Sequence, residues 1–247
     1  MELVATKNTT KKHNKMITKL LSIDTNAKTV KGQKKGFLTG ILYLAPSDAS
    51  GVFNTCKWAS KGCRMACLFS AGRGRFNNVK QARIRKTIDF VQNQADFLLQ
   101  LSKDIDALKN KADKLGLTPC VRLNGTSDIN WHDIKVGDDE SIFHAHSDIS
   151  FYDYTKNIGK VQFLSRNPIA NYHLTFSRSE SNNDACNAAL SAGVNVAAVF
   201  KDVPETWQGF PVINGDENDL RFLDPSGVIV GLKAKGDAKK DTSGFVI

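Results

Sequence analysis

The sequence predicts an α/β domain built on mostly parallel strands, in the form of a complete or partial (β/α) barrel. Seven short apolar segments are typical of strands, and most are separated by helical segments or by connections long enough to cross over a sheet. This alternation indicates a parallel sheet covered by helices. Seven or eight such units in 247 residues are typical of a barrel, and an open doubly wound sheet is the alternative.

The first predicted strand lies in residues 36–46, "GFLTGILYLAP", a short apolar run bounded by Gly and Pro. A loop over 47–75 follows, and residues 76–90 and 92–115 are predicted to be helical. In the second helix, apolar residues recur at steps of three and four and so share one face. They are Leu98, Leu101, Ile105, Leu108, Ala112 and Leu115. Gly116 is predicted to end this helix.

Six further strands are predicted after this helix, together with a short helix over residues 183–193. The strands are predicted at 118–128, 148–157, 172–181, 194–200, 210–215 and 226–236. No linker, fixed-period repeat or low-complexity tract interrupts the series. Residues 36–247 are therefore predicted to form a single domain.

Residues 1–35 are predicted to be a basic arm that precedes this domain. They hold nine lysines against Glu2 and Asp24, which gives +7 of the chain's net charge of +9. Such an arm can attract phosphate backbones, so nucleic acid is a candidate partner. The arm has no aromatic residue before Phe37 for stacking on bases. We therefore favour a solvated tail whose removal leaves the fold intact.

The chain carries no feature that predicts a membrane or secretory location. No apolar run approaches the ~20 residues that span a bilayer, and the N-terminus lacks the apolar core of a signal peptide. These observations predict a cytoplasmic protein, where thiols stay reduced. Five cysteines are also an odd number for a disulfide framework. Clustered cysteines then favour metal binding or catalysis.

Three of the five cysteines lie in the predicted loop, in "NTCKWASKGCRMACLFSAGRGRF" at residues 54–76. Cys56, Cys63 and Cys67 have the spacing C-x6-C-x3-C, which indicates a shared metal centre. A structural zinc site and a [4Fe–4S] cluster each usually take four protein ligands, so three leave one position to another group. Cys120 and Cys186 lie in a predicted strand and helix and are interpreted as small buried hydrophobes.

Polar residues follow several of the predicted strands, at the edge where parallel sheets collect functional groups. Turn residues at strand ends are commonly polar in any case, but here the cysteine loop lies at the same edge. Lys156 and Arg178 predict an anionic group on the ligand. "AGRGR" at 71–75 precedes a helix start, where backbone amides and Arg73 favour anions. The candidate catalytic residues are Asn124, Asp128, Lys156 and Arg178; the candidate cofactor-binding residues are Arg73 and Ser177; and His132 is a candidate fourth metal ligand.

A three-cysteine loop after the first strand of a parallel barrel resembles the radical-SAM enzymes. In that family, three cysteines hold a [4Fe–4S] cluster whose fourth iron is open. Here the spacing is C-x6-C-x3-C and not C-x3-C-x2-C, and "NGTSD" stands where a SAM motif is expected. The resemblance implies an open-site cluster, with S-adenosylmethionine as a candidate cofactor and zinc as the alternative to iron.

Several ordered motifs together resemble the phage-encoded gene product 88 family of iron–sulfur proteins. They are "C…GC…C", "AGR", "VRLNGTSD", "FYDYTKN", "LTFSRSE", "VIVGLKAKG" and "DTSGFVI", and they extend over most of residues 36–247. The resemblance implies a phage or phage-derived origin, hence a host-cell cytoplasm, and a cluster on Cys56, Cys63 and Cys67. It implies no particular reaction.

Two functions from different classes fit these observations. The first is an enzyme whose open iron binds an anionic substrate or cofactor, with radical-SAM-like chemistry or as a Lewis-acid hydrolase or lyase. The second is a nucleic-acid-binding protein with a structural iron–sulfur or zinc site. A redox sensor or electron carrier has less support, since a carrier does not need a ring of polar strand ends. Whether the chain is an enzyme stays open at this point.

Overall fold

A nine-stranded sheet forms the centre of the protein. The computed structural model describes residues 17, 19–23, 27–67, 69 and 72–247. The strands are β1 (Leu21–Ile23), β2 (Phe37–Leu42), β3 (Thr118–Arg122), β4 (Ser150–Thr155), β5 (Tyr172–Ser177), β6 (Val196–Phe200), β7 (Thr206–Trp207), β8 (Phe210–Asn214) and β9 (Ile229–Lys233). Their order across the sheet is β1-β2-β3-β4-β5-β6-β9-β8-β7.

Seven α-helices accompany the sheet in the described residues. They are α1 (Ala27–Gln33), α2 (Lys61–Met65), α3 (Asn77–Gln92), α4 (Gln94–Leu115), α5 (Ile142–Ala145), α6 (Ile158–Arg166) and α7 (Asn183–Ser191). Helix α4 follows the predicted periodicity, and its apolar face is buried from Leu98 to Ala112. Gly116 ends it in the left-handed conformation at φ 64°. Within the described part of the chain, no helix is long and apolar enough to cross a membrane.

The sheet is open and mostly parallel, so the predicted α/β class with parallel strands is confirmed and the predicted barrel is not. Strands β2 to β6, β9 and β8 run parallel to their neighbours, and the short outermost strands β1 and β7 run antiparallel. In the described residues these two outermost strands pair with one neighbour each. Because β1 and β7 do not pair with each other in the described residues, the sheet does not close into a barrel, and the placement of β9 between β6 and β8 also departs from sequential strand order.

Successive strands from β2 to β6 are also adjacent in space, which determines where the helices lie. Parallel crossovers are right-handed, so a sheet that grows in one direction carries its crossover helices on one face. The buried core agrees, since Leu38 of β2 packs in one cluster with Leu101 of α4, and Phe176 of β5 packs in another with Cys186 of α7. A doubly wound sheet, the predicted alternative, would place helices on both faces through a reversal of strand order.

Part of the predicted basic arm belongs to the sheet domain. Strand β1 pairs with β2, Leu20 and Leu21 are buried in the main core, and Lys28 on α1 forms an ion pair of 2.8 Å with Asp216. Strand β1 and helix α1, which precede the predicted boundary at residue 36, therefore contribute burial and charge pairing to the sheet domain. Residues 1–16 of the arm lie outside the described residues.

Candidate functional site

The loop after β2 and the loop after β3 are joined by hydrogen bonds around Cys56. The Thr126 hydroxyl donates to the Leu44 carbonyl at 2.6 Å, and the Asp128 amide donates to the Thr55 carbonyl at 2.8 Å. The Cys56 thiol lies 3.5 Å from the Thr126 carbonyl, to which it donates. Since β2 and β3 are parallel, both loops leave the same edge of the sheet, and Cys56 is positioned between them.

Cys63 is positioned by a short helix that is held to the loop after β5. Ser60 caps α2 by accepting a hydrogen bond from the Cys63 amide at 3.1 Å. The Ser60 hydroxyl donates to Glu180 at 2.7 Å, and the Gly62 amide donates to the same carboxylate at 2.8 Å. Burial opposes ionisation of Glu180, but these hydrogen bonds outweigh it and lower the pKa of the carboxyl group.

Gly62 allows this close approach. A Cβ at this position would lie 2.2 Å from the Ser243 hydroxyl, 2.7 Å from Cβ of Phe245 and 2.8 Å from the Glu180 carboxylate. Only a residue without a side chain fits there unless α2 moves away from the C-terminal segment and from the β5 loop. The glycine before the second cysteine is therefore a packing requirement of the loop.

Cys67 follows α2 in a partly buried position. The Phe69 amide donates a hydrogen bond to its sulfur at 3.5 Å. Burial, with smaller contributions from Cys63 and Cys56, raises the pKa of the Cys67 thiol to about 11. Burial likewise raises the pKa of Cys56, again with a contribution from Cys63. The three thiols thus lie close enough to influence one another electrostatically.

The thiols are not arranged as the ligands of one metal ion. Within the described residues, no three His, Cys, Asp or Glu side chains form a group that could hold such an ion. Four thiolates around a zinc ion at about 2.3 Å stand about 3.8 Å apart. A cluster of several irons spans more space than one ion and would be held by cysteines at wider spacing.

Arg83 of α3 lies beside Cys67 and is 8% exposed. Its guanidinium packs over the rings of Tyr43 and Phe69, at 4.7 and 5.6 Å from their centroids. Its Nε and Nη1 have no hydrogen-bond partner in the described part of the protein. Burial lowers the pKa of Arg83, while Tyr43 and Cys67 act in the opposite direction. A buried cation next to a cysteine favours negative charge on that sulfur.

Three of the sequence-predicted polar residues meet next to this loop. Lys156 donates from its ammonium group to the Ser177 hydroxyl at 2.7 Å and from its amide to Asp128 at 2.8 Å. Asp128 also accepts from the Thr155 hydroxyl at 2.8 Å and lies 3.8 Å from the buried ammonium of Lys160. The carboxylate of Asp128 is thus occupied, whereas Lys156 contacts a neutral hydroxyl and the ring of Phe245.

Asn124 and Arg178 lie in buried positions with structural contacts. Asn124 accepts hydrogen bonds from Ser127, Ile129 and Trp131 and donates to Asp153, so it shapes the loop after β3. Arg178 is 7% exposed, and it donates to the carbonyls of Gly244 and Phe245 at 2.6 and 3.0 Å. Through these contacts Asn124 holds the loop after β3 and Arg178 holds the C-terminal segment.

The remaining candidates are dispersed. Arg73 is exposed in the 3-10 helix Gly72–Arg75. His132 stacks on Phe163, 5.4 Å between ring centroids, and lies 3.3 Å from Asp133. Cys120 is buried against Thr39, 3.3 Å away, and Cys186 is buried on the inner face of α7. The structure places both of these cysteines in hydrophobic clusters.

Glu180 and Arg83 are site residues that the sequence reading missed. Glu180 is 120 positions away from the serine that it contacts, so no local pattern could indicate the pairing. One feature of the sequence could have indicated the unusual environment of Arg83. No Asp or Glu occurs between Asp48 and Asp89, so its charge has no carboxylate nearby along the chain.

Comparison with known proteins identifies one family for this chain. No curated protein and no solved structure matches the chain. The family model described as "Gene product 88" matches residues 10–247. This match covers the cysteine loop, the strand-end residues and the C-terminal segment that Arg178 holds. The chain therefore belongs to the gene product 88 family.

Proposed function

We propose that Cys56, Cys63 and Cys67 hold an iron–sulfur cluster, most simply [4Fe–4S], with one iron free of a cysteine ligand. The observation that carries this proposal is the buried guanidinium of Arg83 beside Cys67, whose Nε and Nη1 have no hydrogen-bond partner in the described residues. Cysteines bind metals as thiolates. A cluster held by three thiolates would place negative charge next to this buried cation and so compensate for the cost of burying it.

The hydrogen bond from the Phe69 amide to the Cys67 sulfur also supports a metal–sulfur centre. Hydrogen bonds to cluster sulfurs tune the reduction potential of such centres. The mutual electrostatic influence of the three thiols supports a shared centre.

The proposed open iron follows from where the other cysteines lie. Cys120 packs with Tyr152 and Leu220 and contacts Thr39, and Cys186 belongs to the core under α7. Both sulfurs would have to leave a hydrophobic cluster in order to reach the loop. The fourth position is then free for a substrate or cofactor, and the open iron would act as a Lewis acid on the bound atom or support one-electron chemistry.

We further propose that the ligand at this position is anionic and that Lys156 and Ser177 bind it. In the described residues Lys156 forms no ion pair within 4 Å, and its ammonium group is held by the Ser177 hydroxyl. A carboxylate or phosphate could accept from both groups without displacing a competing acidic side chain. Asp128 would position Lys156 through its hydrogen bond to the Lys156 amide. S-adenosylmethionine, which has a carboxylate, is one candidate.

Anaerobic purification with iron, sulfide and zinc analysis tests the cluster. We expect about four irons and four sulfides per chain, and near-complete loss of iron in Cys56→Ala, Cys63→Ala and Cys67→Ala. Cys186→Ala and Cys120→Ala are matched controls that should retain it. Zinc in place of iron, or equal iron loss in all five variants, would contradict the proposal. Lys156→Met should retain iron but weaken ligand-induced changes in the electron paramagnetic resonance spectrum of the reduced cluster.

A further inference from the structure

Residues 49–88, the segment that contains the three cysteines, have an unusual charge distribution. They include nine lysines and arginines and no Asp or Glu, a net charge of +9, which equals that of the whole chain. Lys57, Lys61, Arg64, Arg73 and Arg75 are exposed in this segment. Among these five side chains, only Arg64 forms an ion pair within the described residues. Its partner is Asp48, at 3.8 Å. The remaining exposed charges are free to contact an anionic partner.

The same segment exposes aromatic side chains. Phe53, Trp58 and Phe76 are 44%, 49% and 51% exposed, and in the described residues only Phe163 matches them among aromatic side chains. Two of these three rings have a cation beside them. The ammonium of Lys57 lies 5.7 Å from the centroid of the Trp58 ring, and the guanidinium of Arg75 lies 5.5 Å from the centroid of the Phe76 ring. Exposed rings flanked by cations are what a stacked base and its phosphate require.

An open groove of about 480 Å³ lies next to Trp58. The cysteine loop contributes Phe53, Lys57 and Trp58 to one part of its lining, and the loop after β3 contributes Asp128, Asn130 and Asp133 to the other. The first part offers ring faces and a positive charge, and the second offers amide and carboxylate oxygens that can accept from the amino groups of bases. The groove therefore combines rings for stacking with one cation and with acceptors for base edges, and Lys61, outside its lining, adds a second exposed cation.

From these observations we infer that the cysteine-loop surface binds single-stranded nucleic acid, with Trp58 as a stacking platform and Lys57 and Lys61 on the phosphate backbone. A single strand fits better than a duplex because the bases of a duplex are already stacked and cannot pack on Trp58 and Phe53. An acidic protein would complement the positive charge of this surface, but it would have no bases to stack on the rings that lie beside the cations. This site is distinct from the N-terminal arm and does not depend on the proposed cluster.

Fluorescence anisotropy with labelled unstructured DNA and RNA single strands of about 20 nucleotides, and with a duplex of equal length, tests this inference. We expect the full-length protein to prefer the single strands. Trp58→Ala should weaken their binding by about 5- to 100-fold, because stacking on one aromatic ring contributes that much. Phe163→Ala, which removes an equally exposed ring on α6, is the matched control and should bind as the wild type does.

Charge reversal provides the second arm of the experiment. Lys57→Glu with Lys61→Glu should reduce the salt dependence of log affinity by a slope of about 1.4 or more, since each single-strand phosphate contact contributes about 0.7. Lys103→Glu with Lys114→Glu on the exposed side of α4 makes the same change in net charge and should have a much smaller effect. Deletion of residues 1–16 should leave the effect of Trp58→Ala unchanged.

Four outcomes would overturn the inference. They are no binding of single strands at low salt, equal affinity for the duplex, a Trp58→Ala effect no larger than that of Phe163→Ala, and loss of binding with the 1–16 deletion alone. Iron measured in the same samples separates this site from the proposed cluster. Single-strand binding by a protein without iron would support the site and contradict the cluster, whereas iron without binding would do the reverse.

Discussion

The Glu180 carboxylate accepts a hydrogen bond of 2.7 Å from the Ser60 hydroxyl and joins the loop after β5 to the cap of the cysteine-bearing helix α2. The same carboxylate accepts from the Gly62 amide. Helix α2 has five residues, too few to be stable without tertiary contacts. Its position, and with it that of Cys63, therefore depends on an acidic residue from a distant part of the chain.

Glu180→Ala is expected to loosen α2 and to lower the iron content, because Ser60 and the Gly62 amide lose a charged acceptor. The loss of such hydrogen bonds costs about 1–3 kcal/mol. Hydrogen exchange of residues 60–67 and iron per chain measure the two effects. Asp184→Ala removes an exposed carboxylate four residues away and is the control. Unchanged protection of α2 in Glu180→Ala would show that this contact does not position the helix.

Gly62→Ala is expected to displace α2 from the C-terminal segment. The new Cβ would meet the Ser243 hydroxyl at 2.2 Å and Cβ of Phe245 at 2.7 Å, and overpacking of this kind costs about 1–3 kcal/mol. Gly32→Ala on α1 is the matched control, since its Cβ would find its nearest neighbours at 3.7 Å in Leu220. Urea unfolding of both variants makes the comparison, and equal midpoints would contradict the predicted clash.

Arg178→Met is expected to destabilise the fold by about 2–4 kcal/mol, because two carbonyls of the C-terminal segment lose a charged donor. Val246 of the same segment forms a β-bridge with Val199 of β6, and this bridge should open more readily in the variant. Arg166→Met, at an exposed position at the end of α6, should have little effect on the unfolding midpoint. A variant of Arg178 with wild-type stability but impaired ligand binding would contradict this structural role and support the catalytic role predicted from sequence.

Asp153 predicts a specific dependence of stability on pH. Burial raises the pKa of this carboxyl group to about 6, against about 3.9 in an unfolded chain. Since the folded state holds the proton more tightly, the contribution of Asp153 is most favourable below pH ~4 and is lost as pH rises from about 4 to about 6. The difference in unfolding free energy between wild type and Asp153→Asn should fall over this window and level off above it. A difference that rises with pH would contradict the raised pKa.

Deletion of residues 1–35 is expected to destabilise the domain strongly, unlike deletion of residues 1–16. The longer deletion removes β1, the buried side chains of Leu20 and Leu21, and the ion pair between Lys28 and Asp216. Removal of two buried leucines alone costs several kcal/mol, about 2–5 for each. Thermal unfolding of both truncated proteins checks this, and equal stability would show that β1 and α1 are dispensable.

The sequence by itself determined the features that depend on local periodicity and on the chemistry of neighbouring residues. Helix α4 could be located from its apolar spacing, because one buried face repeats with the helical turn. The α/β class followed from alternation of strands and helices, and the meeting of Lys156 with Ser177 followed from parallel strands that end at one edge. The shared location of the three cysteines in one loop was also readable directly.

Only the tertiary structure decided the features that depend on residues distant in sequence. In the described residues β9 lies between β6 and β8 and the edge strands β1 and β7 do not pair with each other, and strand propensity does not encode which strands pair. Packing brings Arg178 to the carbonyls of Gly244 and Phe245, and it buries Arg83 near Cys67 with no ion pair among the described residues. Glu180 reaches Ser60 across the sheet edge. Each outcome follows from the packing of separate segments, which the order of residues in any one segment does not specify.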